Sequence, residues 1–193
     1  STSQDSCQLN NDLTLSSASW TNSGKFGKAW NGTGALWLSI ADDADLDFAA
    51  ADDFSVSLWF KSDAAGNPTT TEYLVAKGPA AAAGYAVYTN TTNPGNGVVC
   101  FGIDDDAISF PEDSACTSAD FYDATWHHIV ATKTGTSRID LYIDGNLLAS
   151  DTAILATGTL ANSSALSVGD SDTTDNGDEF NGDIDEVKIY RSA

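Results

Sequence analysis

The stretch Asp53-Phe54-Ser55-Val56-Ser57-Leu58-Trp59-Phe60-Lys61 decides the fold. Phe54, Val56, Leu58 and Phe60 alternate with Ser55, Ser57, Trp59 and Lys61. In an extended chain this places one apolar row on one side and a mostly polar row on the other. The same period recurs elsewhere. Ile139, Leu141 and Ile143 alternate with Arg138, Asp140 and Tyr142; the run breaks at Asp144-Gly145-Asn146, a hairpin signal, and resumes at Leu147-Leu148-Ala149. Val187 and Ile189 alternate with Lys188 and Tyr190. Shorter strands are expected at Ala35–Ile40, Tyr73–Ala76, Tyr85–Tyr88, Val98–Ile103, His127–Thr132 and Ala165–Val168. No segment sustains helical spacing beyond about a turn, and the alanine run 79–84 is too short and too bracketed by Pro79 and Gly84 to hold a helix.

About ten short strands predict an all-β fold, a two-sheet antiparallel β-sandwich or a barrel. The one-sided apolar faces favour two sheets packed face to face. No repeat, Pro-rich linker or shift in composition divides the chain, so residues 1–193 read as one domain, with 1–23 an edge strand or a tether.

The 193 residues carry 28 acidic side chains against 8 basic ones, a formal net charge of −20. Only Glu72, Glu112, Glu179 and Glu186 are glutamate, so the excess is aspartate, the residue of turns, caps and oxygen-rich metal loops. Such a surface repels phosphate backbones, which excludes a basic nucleic-acid groove, and no polybasic cluster serves anionic lipid. No apolar run approaches the roughly 20 residues that span a bilayer, so no membrane insertion is expected. A hydrophobic share of 41% with five Trp, six Tyr and eight Phe supports a folded core. Methionine is absent even at position 1, so a mature or excised fragment is expected. Cys100 and Cys116 bracket a loop rich in Asp, Pro and Ser, which suits a local disulfide in an oxidising, extracellular or cell-surface setting; Cys7 then bonds outside the chain or stays free.

Six pieces in order carry a resemblance: 24–29 (Gly-Lys-Phe-Gly-Lys-Ala), 53–61, 74–78 (Leu-Val-Ala-Lys-Gly), 125–131 (Thr-Trp-His-His-Ile-Val-Ala), 141–145 (Leu-Tyr-Ile-Asp-Gly) and 180–190 (Phe-Asn-Gly-Asp-Ile-Asp-Glu-Val-Lys-Ile-Tyr). Together they resemble the laminin-G-like, concanavalin-A-like jelly-roll domains of secreted bacterial proteins, from about residue 24 to the end. The resemblance implies a concanavalin-A-like jelly roll serving glycan binding or adhesion, often with calcium, as a module of a larger secreted protein. The chain departs from the family at Ala29-Trp30-Asn31-Gly32, where Phe-Asp-Gly is common, and so lacks that aspartate.

Some members of this fold class are glycosidases, which need two carboxylates across the scissile bond. Here Asp183-Ile184-Asp185-Glu186-Val187-Lys188 places Asp183 and Asp185 on one face with Val187 as third member, so the catalytic pattern is absent. Asp185, sharing a face with Val187 and Ile189, is expected to be semi-buried and satisfied by backbone donors or a metal. His127 and His128 point to opposite faces of a strand and cannot grip one zinc; His127 goes with the Ile129/Ala131 core face and His128 faces out.

Hard oxygen ligands concentrate in the 170–179 loop, where Asp170, Asp172, Asp175 and Asp178, together with Asp185, are the candidate calcium ligands. Asp104-Asp105-Asp106 with Glu112-Asp113, and Asp42-Asp43 with Asp45 and Asp47, form lesser acidic knots that also read as solvated turns. For glycan, Trp59, Tyr142, Arg138, Asp140 and His128 make a binding surface if their strands share an exposed sheet; aromatic rings take sugar C–H faces and planar polar groups take hydroxyls. Trp59 otherwise reads as a packing residue, with Trp20, Trp37, Tyr88 and Tyr122 serving from loops. The expected function is non-catalytic binding of polysaccharide or cell-surface glycan, calcium-stabilised; the alternative is an adhesin or spacer with a protein partner and purely structural calcium.

Overall fold

The computed structural model describes residues 2–3, 13–15, 19–32, 36–63, 68–78, 83–90, 97–106, 110–172 and 177–193. Cys7, Asp175 and most of the alanine run lie outside them. The strands are β1 (Thr2–Ser3), β2 (Leu13–Leu15), β3 (Ser19–Gly24), β4 (Gly27–Asn31), β5 (Leu38–Ile40), β6 (Phe54–Ser62), β7 (Glu72–Lys77) and β8 (Gly84–Asn90), followed by β9 (Val98–Asp104), β10 (Asp113–Cys116), β11 (His127–Thr134), β12 (Arg138–Ile143), β13 (Asn146–Asp151), β14 (Leu166–Val168) and β15 (Gly182–Tyr190). One 3₁₀ turn, Ala44–Leu46, is capped by the Asp43 carboxylate. They build an eight-stranded sheet, β1-β2-β5-β14-β7-β8-β9-β10, and a seven-stranded sheet, β13-β12-β11-β6-β15-β4-β3, with every ladder antiparallel. The expected two-sheet antiparallel sandwich is the fold. The strands outnumber the expected ten: β1, β2 and most of β3 fall in the 1–23 segment read as an edge strand or a tether, and β4 and β10, without an alternating apolar row, were not anticipated.

Strand alternation builds the core. Phe54, Val56, Leu58 and Phe60 on β6 face Tyr85 and Val87 of β8 and Val99, Phe101 and Ile103 of β9, all fully buried. Phe48 stacks on Phe54 with centroids 4.1 Å apart, and Tyr85 tilts against both. Each such side chain stabilises the fold by about 1.5–3 kcal/mol relative to exposure.

The two outer faces differ. On the eight-stranded sheet, Ala76, Ala86, Tyr88, Val98 and Cys100 form a second buried cluster, roofed by Tyr73, Phe110 and Cys116. Gly102 has no side chain because a Cβ there would press on Pro111 and on the Phe110 ring. The expected disulfide is present: Cys100 and Cys116 are directly opposed on β9 and β10 and bonded. Among the described residues no second apolar cluster forms on the outer face of the seven-stranded sheet, which carries the candidate site.

One expectation fails on β15. Asp185 does not share a face with Val187. A bulge between Asp185 and Lys188, with Glu186 at φ 53°, resets the alternation. Asp183, Asp185, Lys188 and Tyr190 therefore lie on the outer face, opposite Lys61, Trp59, Ser57 and Ser55, while Ile184, Val187 and Ile189 pack on the core.

Candidate functional site

Antiparallel register brings the five sequence-predicted residues to one side. Trp59 pairs with His128 across β6 and β11, and Val130, two residues on, pairs with Tyr142 of β12. Asp140 and Arg138 follow on the same face, opposite Thr132 and Thr134. All five share the outer face of the seven-stranded sheet, in two groups. Trp59 and His128 are in ring contact, centroids 4.9 Å apart. Arg138 donates to Asp140 at 2.5 Å, and Ser150 Oγ donates to the same carboxylate oxygen. His128 and Thr132 are four residues apart on β11, so the groups sit about 13 Å from each other. A polymer can bridge them; one sugar unit cannot.

Two residues of the aromatic group were missed by sequence reasoning. The β3–β4 turn folds over Trp59: the Lys25 ammonium sits 4.1 Å from the ring centroid, and Phe26 meets the ring edge-on at 6.0 Å. The turn is pinned by Phe26 N–H donating to Asp185 Oδ2 at 2.8 Å. Phe26 itself is 61% exposed and extends the aromatic surface outward. The signal was the Gly24-Lys25-Phe26-Gly27 spacing, a hairpin turn with a cation and a ring at its tip. His128 Nε2 lies 3.0 Å from Ser57 Oγ. Burial lowers the imidazole pKa, with Asp144 opposing and Lys188 adding to the fall, which favours the neutral ring. His127 turns inward as expected, its ring between Phe60 and Phe121, with Nδ1 2.7 Å from Asp144 Oδ2 and Nε2 3.1 Å from Asp123 Oδ1.

Of the alternative aromatics, Tyr88 is buried against Tyr73 and Phe110, and Tyr122 bonds to the Glu72 carboxylate at 2.5 Å. Trp20 is 42% exposed on the edge strand β3.

The acidic knots separate by what their oxygens do. Asp42 and Asp47 hold the buried Lys77 ammonium at 2.8 and 3.1 Å. Asp113 accepts from the N–H groups of Leu155 and Ala156, and Asp105 from Gly158, so this knot fastens the 155–158 segment. Asp185, on β15 of the seven-stranded sheet, accepts from Phe26 and Glu186 N–H, whereas Asp170 follows β14 of the eight-stranded sheet. Asp170 is different. Gly169, at φ 86° and against the Trp30 ring, turns the chain so that Asp170 is fully buried. Its Oδ1 accepts from Ser171 N–H, and its Oδ2 has no hydrogen-bond partner among the described residues. Burial, then the Asp178 carboxyl beside it, push its pKa up to about 8. Among the described residues no group of three or more His, Cys, Asp or Glu side chains is arranged to hold a metal, and Asp175 lies outside them. No described helix is long and apolar enough to cross a membrane.

Several solved structures share this fold. The binding domain of Paraclostridial Mosquitocidal Protein 1 superposes with a TM-score of 0.77 at 17% identity, over 98% of this chain and 46% of that one. Domain 4 of AbnA, an extracellular GH43 arabinanase of Geobacillus stearothermophilus solved with arabinotriose, gives 0.65 at 17% identity, over 94% and 82%. The binding domain of botulinum neurotoxin DC in complex with SialylT gives 0.57 at 12% identity, over 100% and 42%. The chain thus spans less than half the length of the toxin binding domains it matches. These likenesses are of fold. No curated protein matches the chain in sequence. The profile of the concanavalin A-like lectin/glucanases superfamily, in its laminin G form, matches residues 31–193, and the chain belongs to that family.

Proposed function

We propose that the protein is a non-catalytic, extracellular module that binds polysaccharide or cell-surface glycan and forms part of a larger secreted protein. One observation carries the reading: Trp59, His128 and Tyr142 share one sheet face with the Arg138–Asp140 pair, and Phe26 extends it from the β3–β4 turn. Rings and planar hydrogen-bonding groups are what a sugar's C–H faces and hydroxyls require. The arabinotriose and SialylT complexes of the structural neighbours lend support. The non-catalytic reading is supported at Asp183 and Asp185. Lys61 and Asn31 engage the first, and two backbone N–H groups the second, which leaves neither as a poised acid across a scissile bond.

Calcium belongs to the same proposal. The buried Asp170 Oδ2, without a hydrogen-bond partner among the described residues and beside the Asp178 carboxyl, fits a hard cation, and Asp172 and Asp175 of the same sequence stretch are the further candidate ligands. Bound there, calcium would neutralise the carboxylates and fix the loop between β14 and β15.

A glycan array followed by pull-down on insoluble polysaccharides tests the reading. The wild type should be retained, and Trp59→Ala and Tyr142→Ala should lose retention at unchanged melting temperature. Intact retention in both variants would sink the sheet-face site, and release of reducing sugar would sink the non-catalytic one. A second reading, an adhesin or spacer with a protein partner and structural calcium, draws on Leu147 and Leu148 of the edge strand β13, both more than 40% exposed. Polar substitution of these leucines that abolished adhesion while sparing glycan retention would favour it.

A further inference from the structure

The outer face of the seven-stranded sheet continues past Trp59 into a cleft. Lys61 lies two residues beyond Trp59 on β6, and Trp126 lies two residues before His128, so both follow the aromatic group on the same side. The cleft has a volume of about 260 Å³ and is lined by Asn31, Lys61, Ser62, Asp63, Ala124, Gly182 and Asp183. Its floor is built. The Lys61 ammonium pairs with Asp183 Oδ2 at 2.6 Å and lies 5.3 Å from the centroid of the Trp126 ring. Asn31 Nδ2 donates to Asp183 Oδ1 at 2.7 Å, and Asp183 is 5% exposed. Asp63 stands exposed at the rim.

We propose that this cleft is a subsite for one unit of a neutral glycan chain; the proposal rests on the glycan-binding reading above. The size argues for a single sugar, since drug-sized ligands occupy pockets of roughly 300–1,000 Å³. The polar groups argue for hydroxyls. An ammonium spends one of its three N–H donors on Asp183 and offers the others to hydroxyl oxygens, while Asp63 accepts from a hydroxyl O–H. The half-exposed Trp126 indole offers an apolar face beside them. The charges exclude anionic sugars. Among the described residues the only cation lining the cleft is already neutralised by Asp183, Asp63 adds a negative charge, and the whole chain carries −20. Sialylated, sulfated and uronic-acid chains therefore meet repulsion, whereas neutral chains meet none. The adjacent Trp59 group would take the next unit along the same strand direction.

The test is calorimetric titration of the full chain in calcium-containing buffer with neutral oligosaccharides of arabinose, glucose, galactose and mannose, and with sialyllactose and oligogalacturonate as anionic probes. The expected result is binding of a neutral probe only. Asp63→Ala should weaken it about three- to tenfold and Trp126→Ala about tenfold, with thermal melting reporting that both variants fold. Lys61 is left intact because its removal would strand the buried Asp183. Equal or tighter binding of an anionic probe overturns the proposal. If a neutral probe binds and both folded cleft variants match wild type while Trp59→Ala does not, the cleft is excluded and the glycan reading stands. Absence of any binding across probes and array defeats both together.

Discussion

Lys77 is fully buried and surrounded by oxygen: Asp42 and Asp47 carboxylates and the carbonyls of Asn162 and Ser164 lie within 3.1 Å of its ammonium. One lysine thus ties the 42–47 turn and the 162–164 loop to the end of β7. Lys77→Met keeps the stem and removes the charge, leaving two carbonyls and two half-screened carboxylates without their donor. Breaking a buried pair costs about 3–5 kcal/mol, and the partial exposure of Asp42 and Asp47 places this variant near the lower figure; urea unfolding measures it. Lys133 does the same work at the other end, its ammonium on the carbonyls of Ala50, Asp52 and Gly135. Neither lysine was legible as a core residue, because alternation marks a strand's inner face only where that face is apolar. The same limit divides the candidate site. Trp59, His128, Tyr142, Asp140 and Arg138 were legible as one surface because a period of two fixes their side. Lys25 and Phe26 were not, since what places them over Trp59 is a hydrogen bond to Asp185, 159 residues away.

At the scale of elements, most strands with an alternating apolar row were legible to within a residue or two, but the alternation at 187–190 missed the start of β15 at Gly182, and β4 and β10 were not legible. Ser19–Gly24 is an edge strand with little to bury, and Asp113–Cys116 is four residues held by its ladder and by the disulfide. The disulfide closes a loop of 16 residues, for which chain entropy gives about 3 kcal/mol. Reduction should therefore shift the urea midpoint downward. It should also raise amide exchange at Leu155 and Ala156, whose N–H groups bond to Asp113 of β10. Unchanged exchange there would mean that β10 holds its place without the bond. The β15 bulge makes a second, separable prediction. Glu186 sits at φ 53°, where an ordinary side chain costs about 1–2 kcal/mol, and its ion pair with Lys188 is an exposed one worth little. Glu186→Gly should therefore be neutral or stabilising by up to about 1 kcal/mol, whereas Glu186→Val should destabilise by more than about 1 kcal/mol. If valine were tolerated as well as glycine, the bulge would not be what reverses Asp185.

For the whole molecule, the charge of −20 is the property that most needs explaining, and among the described residues Asp140 and Asp170 show its two signs. On Asp140, burial acts upward, but the Arg138 and Ser150 hydrogen bonds outweigh it and hold the carboxyl below the usual range. Its stabilisation is present at neutral pH and lost as pH falls through the lowered value. Asp170 has the opposite sign. Burial and then Asp178 raise it from 3.8 to about 8, so the folded chain keeps a proton that the unfolded chain has released, and stability falls as pH rises between about pH 4 and about pH 8. Without calcium the melting temperature should accordingly be highest in mild acid and decline toward about pH 8. Sodium chloride would relieve general self-repulsion at any pH, because added salt shortens the range over which exposed charges interact. Calcium should act differently: at matched ionic strength it should raise the melting temperature most near pH 8, where it supplies the charge that the Asp170–Asp178 pair lacks, and so flatten the pH profile. Asp170→Asn should flatten the calcium-free profile by itself and abolish the calcium-specific increment. A calcium effect that equals sodium chloride at every pH, or one that survives in Asp170→Asn, would return the acidic loop between β14 and β15 to the status of solvated surface and leave the net charge to solubility alone.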